Sequence, residues 1–363
     1  MAIIPLIKTI NAIKHFAFKG ILVGCAPYGN GHINDTFVVT CREDFKIYRY
    51  ILQRVNTKVF PDIDAIVSNV SQVTQYLKKN AEGERCVLDL VATTDGEYLY
   101  RDEDGLCWRA EAFIENSICL ERPESGRDFY ECGVAFGDFV RRLDDFPVEN
   151  VKEIIADFHN TEKRYRDFLK AVEEDKCGRV SLVKEEIEFI KARAEFFSLL
   201  SNEHKAGNLP LRVTHNDTKC NNVMLDKETR TALCVIDLDT IMPGFSVNDF
   251  GDSIRFGAST ADEDEKDLNL VKLDIDMFKA YTKGFIKGSG GLLKPTEKML
   301  LPEGAKMMTI ECGMRFLTDY LSGDTYFKTS YKDHNLVRCR TQLKLVKEME
   351  ENWDTLKEIV SKY

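Results

Sequence analysis

The stretch that most restricts what this chain can become is residues 211–258, LRVTHNDTKCNNVMLDKETRTALCVIDLDTIMPGFSVNDFGDSIRFGA. A short apolar run, 211–213, leads into polar groups at fixed offsets: His215, Asp217, Lys219, Asn221 and Asn222. A second apolar run, 232–236, ends in Asp237-Leu238-Asp239. Each run is bounded by turn-forming residues, so both are predicted to be short strands with a third at 223–225 between them. Chain reversals between such strands bring Asp217, Asn222 and Asp237 together at one end of a small ribbon.

That constellation fits phosphoryl transfer. Divalent metal must neutralise donor phosphates, and hard oxygen ligands such as Asn222 and Asp237 suit Mg²⁺. A separate carboxylate must orient the acceptor hydroxyl and take its proton, the role expected of Asp217. Protein kinases use His-Arg-Asp-x-x-x-x-Asn followed by a metal-binding Asp after a strand. The segment from His215 to Asn222 keeps that spacing, with Asn216 in place of the Arg. Lys219 lies two residues beyond the base, within reach of a transferring phosphate. A lone His-x-Asp is more often a turn stabiliser; Asn222 and Asp237 in register reverse those odds.

The segment resembles the phosphotransferase motif of the aminoglycoside phosphotransferase and choline kinase superfamily, and more closely that of the N-acetylhexosamine 1-kinases. The words that carry the likeness are THNDTK, NN, IDLDTIMPG, DFGDSIRFGAST, ECGMRFL and HNLVR, spread with the glycine loop from Pro27 to Leu345. The resemblance implies an α+β, two-lobed protein-kinase-like fold: a small antiparallel-sheet lobe over 1–112 and a larger, mainly helical lobe over 113–363. It implies ATP-dependent phosphorylation of the anomeric hydroxyl of an N-acetylhexosamine. It further implies a hinge at Phe113-Ile114-Glu115 whose backbone meets the adenine, and sugar contacts from Arg315 and Tyr326.

The rest of the chain is consistent with that expectation and departs from it in one place. Strands predicted at 21–25 and 35–40 flank Pro27-Tyr28-Gly29-Asn30-Gly31-His32-Ile33-Asn34, a loop whose Gly29 and Gly31 let backbone N–H groups approach phosphates. His32 could face the phosphate or the acceptor, or simply pack. A strand at 46–55 is where protein kinases carry an ATP-binding Lys, but the matching residue is Gln53, with Arg54 beside it. The helix expected at 64–79 contains no Glu, so the usual Lys–Glu pair is absent too. Arg54, Lys219 and the glycine loop are the candidates to hold the phosphates. Strands at 98–101 and 107–113 complete the N-terminal sheet.

Helical spacing is expected from 128 onward, over 161–174, 183–200, 278–285 and 299–321, with a first short helix at 8–18. The charges Glu185, Glu186 and Lys191 read as a solvated face. Glu311, Arg315 and Asp319 fall at intervals of four, the spacing of an ion-pair ladder. GSGG at 288–291 reads as a flexible connector.

Composition excludes other classes. A formal charge of −10 argues against nucleic acid or an anionic membrane as the main partner. Eleven cysteines without a CxxC argue against a zinc site or a disulfide framework. Cys220, inside the motif, reads as a small buried residue. The stretch MAIIPLIKTINAIKHF is interrupted by Pro5, Lys8 and Lys14 and is not expected to be a signal peptide. The expected protein is a cytoplasmic monomer or weak oligomer that binds ATP, Mg²⁺ and a small acceptor. Two other readings remain open: a kinase for an amino alcohol or aminoglycoside, and a silent nucleotide-binding module.

Overall fold

The computed structural model describes residues 6–29, 34–81, 83 and 85–363. Helix α1 (Leu6–Ile13) precedes three antiparallel strands, β1 (Ile21–Pro27), β2 (Asp35–Glu43) and β3 (Lys46–Val55). Helix α2 (Ile63–Lys79) follows, then the short strands β4 (Leu90–Val91) and β5 (Tyr100–Arg101) and the longer β6 (Cys107–Ala112). The sheet runs β1-β2-β3-β6-β4, with β5 also on β6 and every pair antiparallel.

Period-2 alternation gives this sheet two buried faces. Tyr50, Leu52, Trp108 and Ala110 pack on one face against Ala12, Ile13 and Phe16 from α1 and the turn after it. Val55 and Cys107 belong to the other face, which joins α2 through Ile63, Ile66, Val70 and Val73. Asp62 caps α2 by accepting the Ala65 N–H, a contact typically worth about 1 kcal/mol. At mid-helix, buried Asn69 donates to the carbonyls of Lys152 and Ile241 and accepts the Lys152 N–H. One amide thus sews α2 to the second half of the chain.

Beyond residues 113–116, β7 (Ser117–Cys119) leads to α3 (Gly126–Arg142), α4 (Thr161–Glu174), α5 (Lys184–Lys191) and α6 (Leu199–Lys205). Strands β8 (Arg212–Thr214), β9 (Val223–Asp226), β10 (Ala232–Val235) and β11 (Met242–Gly244) come next. Then α7 (Ser246–Gly257), α8 (Ile275–Gly288), α9 (Pro295–Met299), α10 (Leu301–Ser322), α11 (His334–Glu351) and α12 (Trp353–Ser361) complete the chain. Helix α10 is the spine of this half, buried on nearly all sides by α7, α11 and α4, which is why its apolar residues show little one-sidedness. This is the expected α+β, kinase-like architecture. Among the described residues no helix is long and apolar enough to cross a membrane.

Several expectations are corrected. The run at 211–213 does not join the ribbon of β9 and β10; β8 pairs with β11, while β7 becomes the third strand beside β9. The single helix expected at 183–200 is broken into α5, a 3-10 turn at Ala194–Ser198 and α6. The break lets Arg193 reach Glu350 and turns Phe197 inward beside Tyr165, so tertiary packing outweighs helical periodicity. Glu186 is buried and bonded to Arg340 rather than solvated.

The GSGG segment is not a loose connector. Gly288 closes α8 where α8 crosses α3, and Ser289 is buried, its N–H bonded to the Phe285 carbonyl. At this crossing a Cβ on Gly284 would meet the Tyr130 carbonyl oxygen and one on Gly288 that of Val134; Gly133 and Gly137 face the carbonyls of Tyr281 and Phe285 in return. Backbones this close admit only glycine. Gly284→Val should therefore destabilise the protein by roughly 1–3 kcal/mol, read as a lower urea midpoint at unchanged slope. Gly24→Ala, whose Cβ meets nothing within 4 Å, should stay within about 0.5 kcal/mol of wild type.

Candidate functional site

The loop between β8 and β9 is held in place by the first turns of α7. Both oxygens of the buried Asp249 are used, accepting the N–H of His215 (2.8 Å) and of Asn216 (2.8 Å). Asp252, one turn later, accepts the Thr218 N–H (3.0 Å), and Ser253 donates to the Thr218 carbonyl. Burial pushes the Asp249 carboxyl up to about 6, opposed by nearby His215 and by the two N–H bonds. Helix α7 therefore grips the residues on either side of Asp217, His215 and Asn216 before it and Thr218 after it.

Backbone conformation explains the Asn at position 216. Its φ is 65°, in the left-handed region that Asn tolerates better than most residues. Its side chain then donates to the Thr240 carbonyl (2.9 Å) and accepts from Thr214 Oγ1 (3.0 Å), joining this loop to the one after β10. Asp237 is left-handed too, with φ 57°. His215 Nδ1 faces the Asp217 N–H (3.2 Å) and Nε2 the Ile236 carbonyl (2.9 Å), partners that assign the proton to Nε2. Cys220 is buried as expected, its Sγ 3.1 Å from that of Cys132.

The structure brings Asp217, Asn222 and Asp237 to one place. Asn222 Nδ2 donates to the Asp217 carbonyl (2.7 Å) and carboxylate (3.2 Å), while the Asn222 carbonyl accepts the Ile236 N–H (2.9 Å). With Nδ2 so committed, Asn222 Oδ1 has no hydrogen-bond partner among the described residues. Lys219 Nζ lies 2.8 Å from Asp217 Oδ1; burial alone would lower its pKa, but Asp217 and Asp252 hold the ammonium above its ordinary value. Asp237 is exposed to solvent although many protein atoms surround it. Desolvation by those atoms, with repulsion from Asp239 and Asp217, raises it well above the carboxylate range. Among the described residues no three His, Cys, Asp or Glu side chains form a closed metal cage. Asn222 Oδ1 and Asp237 are instead the kind of partial oxygen set that Mg²⁺ completes with phosphate oxygens and water.

Asp239 does something else. It is buried, takes Nη1 of Arg109 from β6, and accepts from Asn34 Nδ2 (3.2 Å) at the end of the glycine loop. Arg109 Nε donates to Gln53 Oε1 (2.8 Å), its cross-strand partner, and lies 3.9 Å from Glu111. Burial pushes Glu111 up to about 7 against the pull of Arg109. Arg109 was not singled out in the sequence; the available signal was two charges at alternate positions in a strand that is otherwise buried. Arg54 points to the opposite face of the sheet, paired with Asp35.

At residues 113–116, the Arg49 guanidinium covers the Phe113 ring at 4.1 Å and binds Glu115. The Phe113 carbonyl and Glu115 N–H, on either side of Ile114 at the start of a turn, have no partner among the described residues. Gly29 has φ 74° with open space where a Cβ would lie. Gly31 and His32 lie outside the described residues.

The far wall of the site is α10. Arg315 makes no ion pair among the described residues, and the ladder suggested by spacing does not form. Glu311 is taken by His159 (3.0 Å) and Thr161 (2.5 Å), and Asp319 by the N–H groups of Thr325, Tyr326 and Phe327 and by Asn335. The Arg315 guanidinium sits instead between the rings of Phe158 (5.7 Å), Phe327 (5.5 Å) and Tyr326 (5.9 Å), with Tyr326 exposed. His159 bridges this wall to the loop, its Nε2 3.3 Å from the Asn216 carbonyl. A cavity of about 300 Å³ lined by Leu77, Phe139 and Leu238 lies behind Leu238, away from Asp217.

The sequence profile of the phosphotransferase enzyme family matches residues 24–274. Among solved structures, a microcompartment-associated aminopropanol kinase superposes with a TM-score of 0.64 at 13% identity, covering 97% of this chain and 98% of its own. An aminoglycoside phosphotransferase from Alicyclobacillus acidocaldarius gives 0.62 at 12% identity over 97% and 96%. Choline kinase from Cryptosporidium parvum gives 0.58 at 14% identity over 99% and 98%. At these identities the likeness is one of fold.

Asp249→Asn removes one of two carboxylate oxygens that receive backbone N–H groups. The amides of His215 and Asn216 should then exchange with solvent roughly ten- to a hundredfold faster, as expected from losing ~1.5–3 kcal/mol of charge-assisted bonding. Hydrogen exchange followed by mass spectrometry checks this; unchanged protection would show that α7 does not hold the loop.

Proposed function

The chain belongs to the phosphotransferase enzyme family, and on that premise we propose that it transfers the γ-phosphoryl group of ATP to the anomeric hydroxyl of an N-acetylhexosamine. The observation that carries this reading is the unpaired guanidinium of Arg315. Around it, Glu311, Asp319 and Asp252 are already engaged, by His159 and Thr161, by backbone N–H groups, and by Arg255. A free cation among aromatic rings suits a neutral, oxygen-rich acceptor. It opposes the ammonium group of an amino alcohol, or the several of an aminoglycoside.

In this reading residues 1–112 form the nucleotide-binding lobe and 113–363 the catalytic and sugar-binding lobe. The adenine edge meets the Phe113 carbonyl and the Glu115 N–H, Gly29 and Gly31 are assigned to the phosphates, and His32 is assigned to the acceptor. Asn222 and Asp237 hold Mg²⁺, which offsets phosphate charge. Asp217, oriented by Asn222 Nδ2, accepts the proton of the attacking hydroxyl. Lys219 neutralises Asp217 at rest and can turn to the transferring phosphoryl group. The anomeric hydroxyl is the most acidic on a sugar, so one positioned carboxylate suffices as base. Arg315 and Tyr326 face the sugar. The eleven free thiols fit a reducing cytoplasm.

ADP release should rise with N-acetylglucosamine or N-acetylgalactosamine and depend on Mg²⁺. If only ammonium-bearing alcohols stimulate it, the sugar assignment fails. Asp217→Asn should lower turnover by ~10²–10⁴-fold at nearly unchanged sugar binding; a variant that keeps most of its turnover removes Asp217 as base. Arg315→Ala should lower kcat/KM for the sugar by roughly ten- to a hundredfold, with the KM for ATP nearly constant. Were Arg315 only a helix stiffener, that variant would melt earlier yet show ordinary sugar kinetics.

A further inference from the structure

A nucleoside triphosphate brings several negative charges into a cleft already lined by Asp217, Asp237, Asp239 and Glu111. Protein kinases meet that charge with a Lys on the third strand, held by a Glu of the following helix. Neither residue stands in its place here: the matching position of β3 holds Gln53, its one Lys being Lys46 at the far end, and α2 contains no Glu. Arg54 lies on the sheet face opposite Gln53, where it is committed to Asp35.

We propose that Arg109 is the phosphate-binding cation of the sheet, with Asp239 as the carboxylate that fixes it. The inference rests on reading the cleft as a nucleotide site, and it moves the cation one strand over. Arg109 is directly opposite Gln53 in the β3–β6 register, so its guanidinium occupies the space that a Lys at 53 would enter. Nε is held by Gln53 and Nη1 by Asp239; Nη2 has no partner among the described residues. Asp239 is also touched by Asn34, at the end of the glycine loop, and lies two residues past Asp237. Phosphates bound beside Asn34 and Asp237 would lie near this guanidinium. Arg also supplies what a Lys cannot, a planar fork that serves its anchoring carboxylate and a phosphate at once.

The competing account is that Arg109 only neutralises buried Asp239. Arg109→Met and Arg109→Met combined with Asp239→Asn separate the two, because the double variant removes both charges of the Arg109–Asp239 pair. The affinity for a fluorescent ADP analogue, measured without divalent metal and without any acceptor, is the readout, alongside a melting curve. If Arg109 binds phosphate, the single variant loses roughly ten- to a hundredfold in affinity. The double variant then recovers melting temperature but not affinity. Affinity restored to within about twofold of wild type in the double variant overturns the proposal. Should the single variant not fold, the double variant alone decides. A wild-type protein that binds no adenine nucleotide would instead overturn the nucleotide-site reading itself.

Discussion

Two backbone N–H groups converging on one buried carboxylate set the geometry of this protein's chemistry. Asp249 receives His215 and Asn216 together, and that forces the chain into the left-handed turn from which Asp217 emerges. Everything downstream depends on the turn: the His215 ring facing Ile236, the Asn216 amide reaching Thr240, the Thr218 N–H on Asp252. A loop with so few apolar contacts would otherwise sample many conformations. Helix α7 is itself buried against the long α10, so the precision of the loop derives from the densest part of the core. An acid buried this completely is costly to ionise, and its two N–H bonds offset part of that cost.

The charges at the cleft floor are not balanced within the protein. Asp217, Asp237, Asp239 and Glu111 face Arg109 and Lys219, and burial first, with repulsion from neighbouring acids added to it, pushes Asp237 and Glu111 upward. Such an arrangement costs stability in the empty state and is relieved by cations arriving with a ligand, a local inconsistency of the kind that functional sites carry. The wall at α10 has the opposite character, with its acids engaged and one guanidinium left over. The two walls therefore present different electrostatic faces to whatever lies between them.

How much of this was legible in the sequence depended on sequence distance. Strand β3 and helix α4 have the bounds that alternation and helical spacing predict, because both elements are decided by their own residues. The grouping of Asp217, Asn222 and Asp237 was legible because short loops leave few ways to arrange them. Arg109 was not, since its importance arises from register with Gln53, 56 residues away, and from Asp239, 130 residues away. His159 meets Glu311 only after the chain has folded. The misreadings share this cause. Spacing alone made Glu311, Arg315 and Asp319 a ladder, while Glu311 and Asp319 had stronger partners elsewhere and Arg315 was left among aromatic rings, and GSGG looked loose until α3 was laid against it.

Asn69 has a consequence for control. Protein kinases are commonly switched by displacing the helix that follows the third strand, which makes or breaks the Lys–Glu pair. Here that helix contains no Glu, its one acid, Asp64, is bonded to Arg101, and its midpoint is fastened by three hydrogen bonds to Lys152 and Ile241 in the second half of the chain. Swinging it would strand a buried amide and its backbone partners, so the helix has neither a lever nor a message to send. A catalyst built this way idles in its assembled form, and its output follows the supply of its substrates.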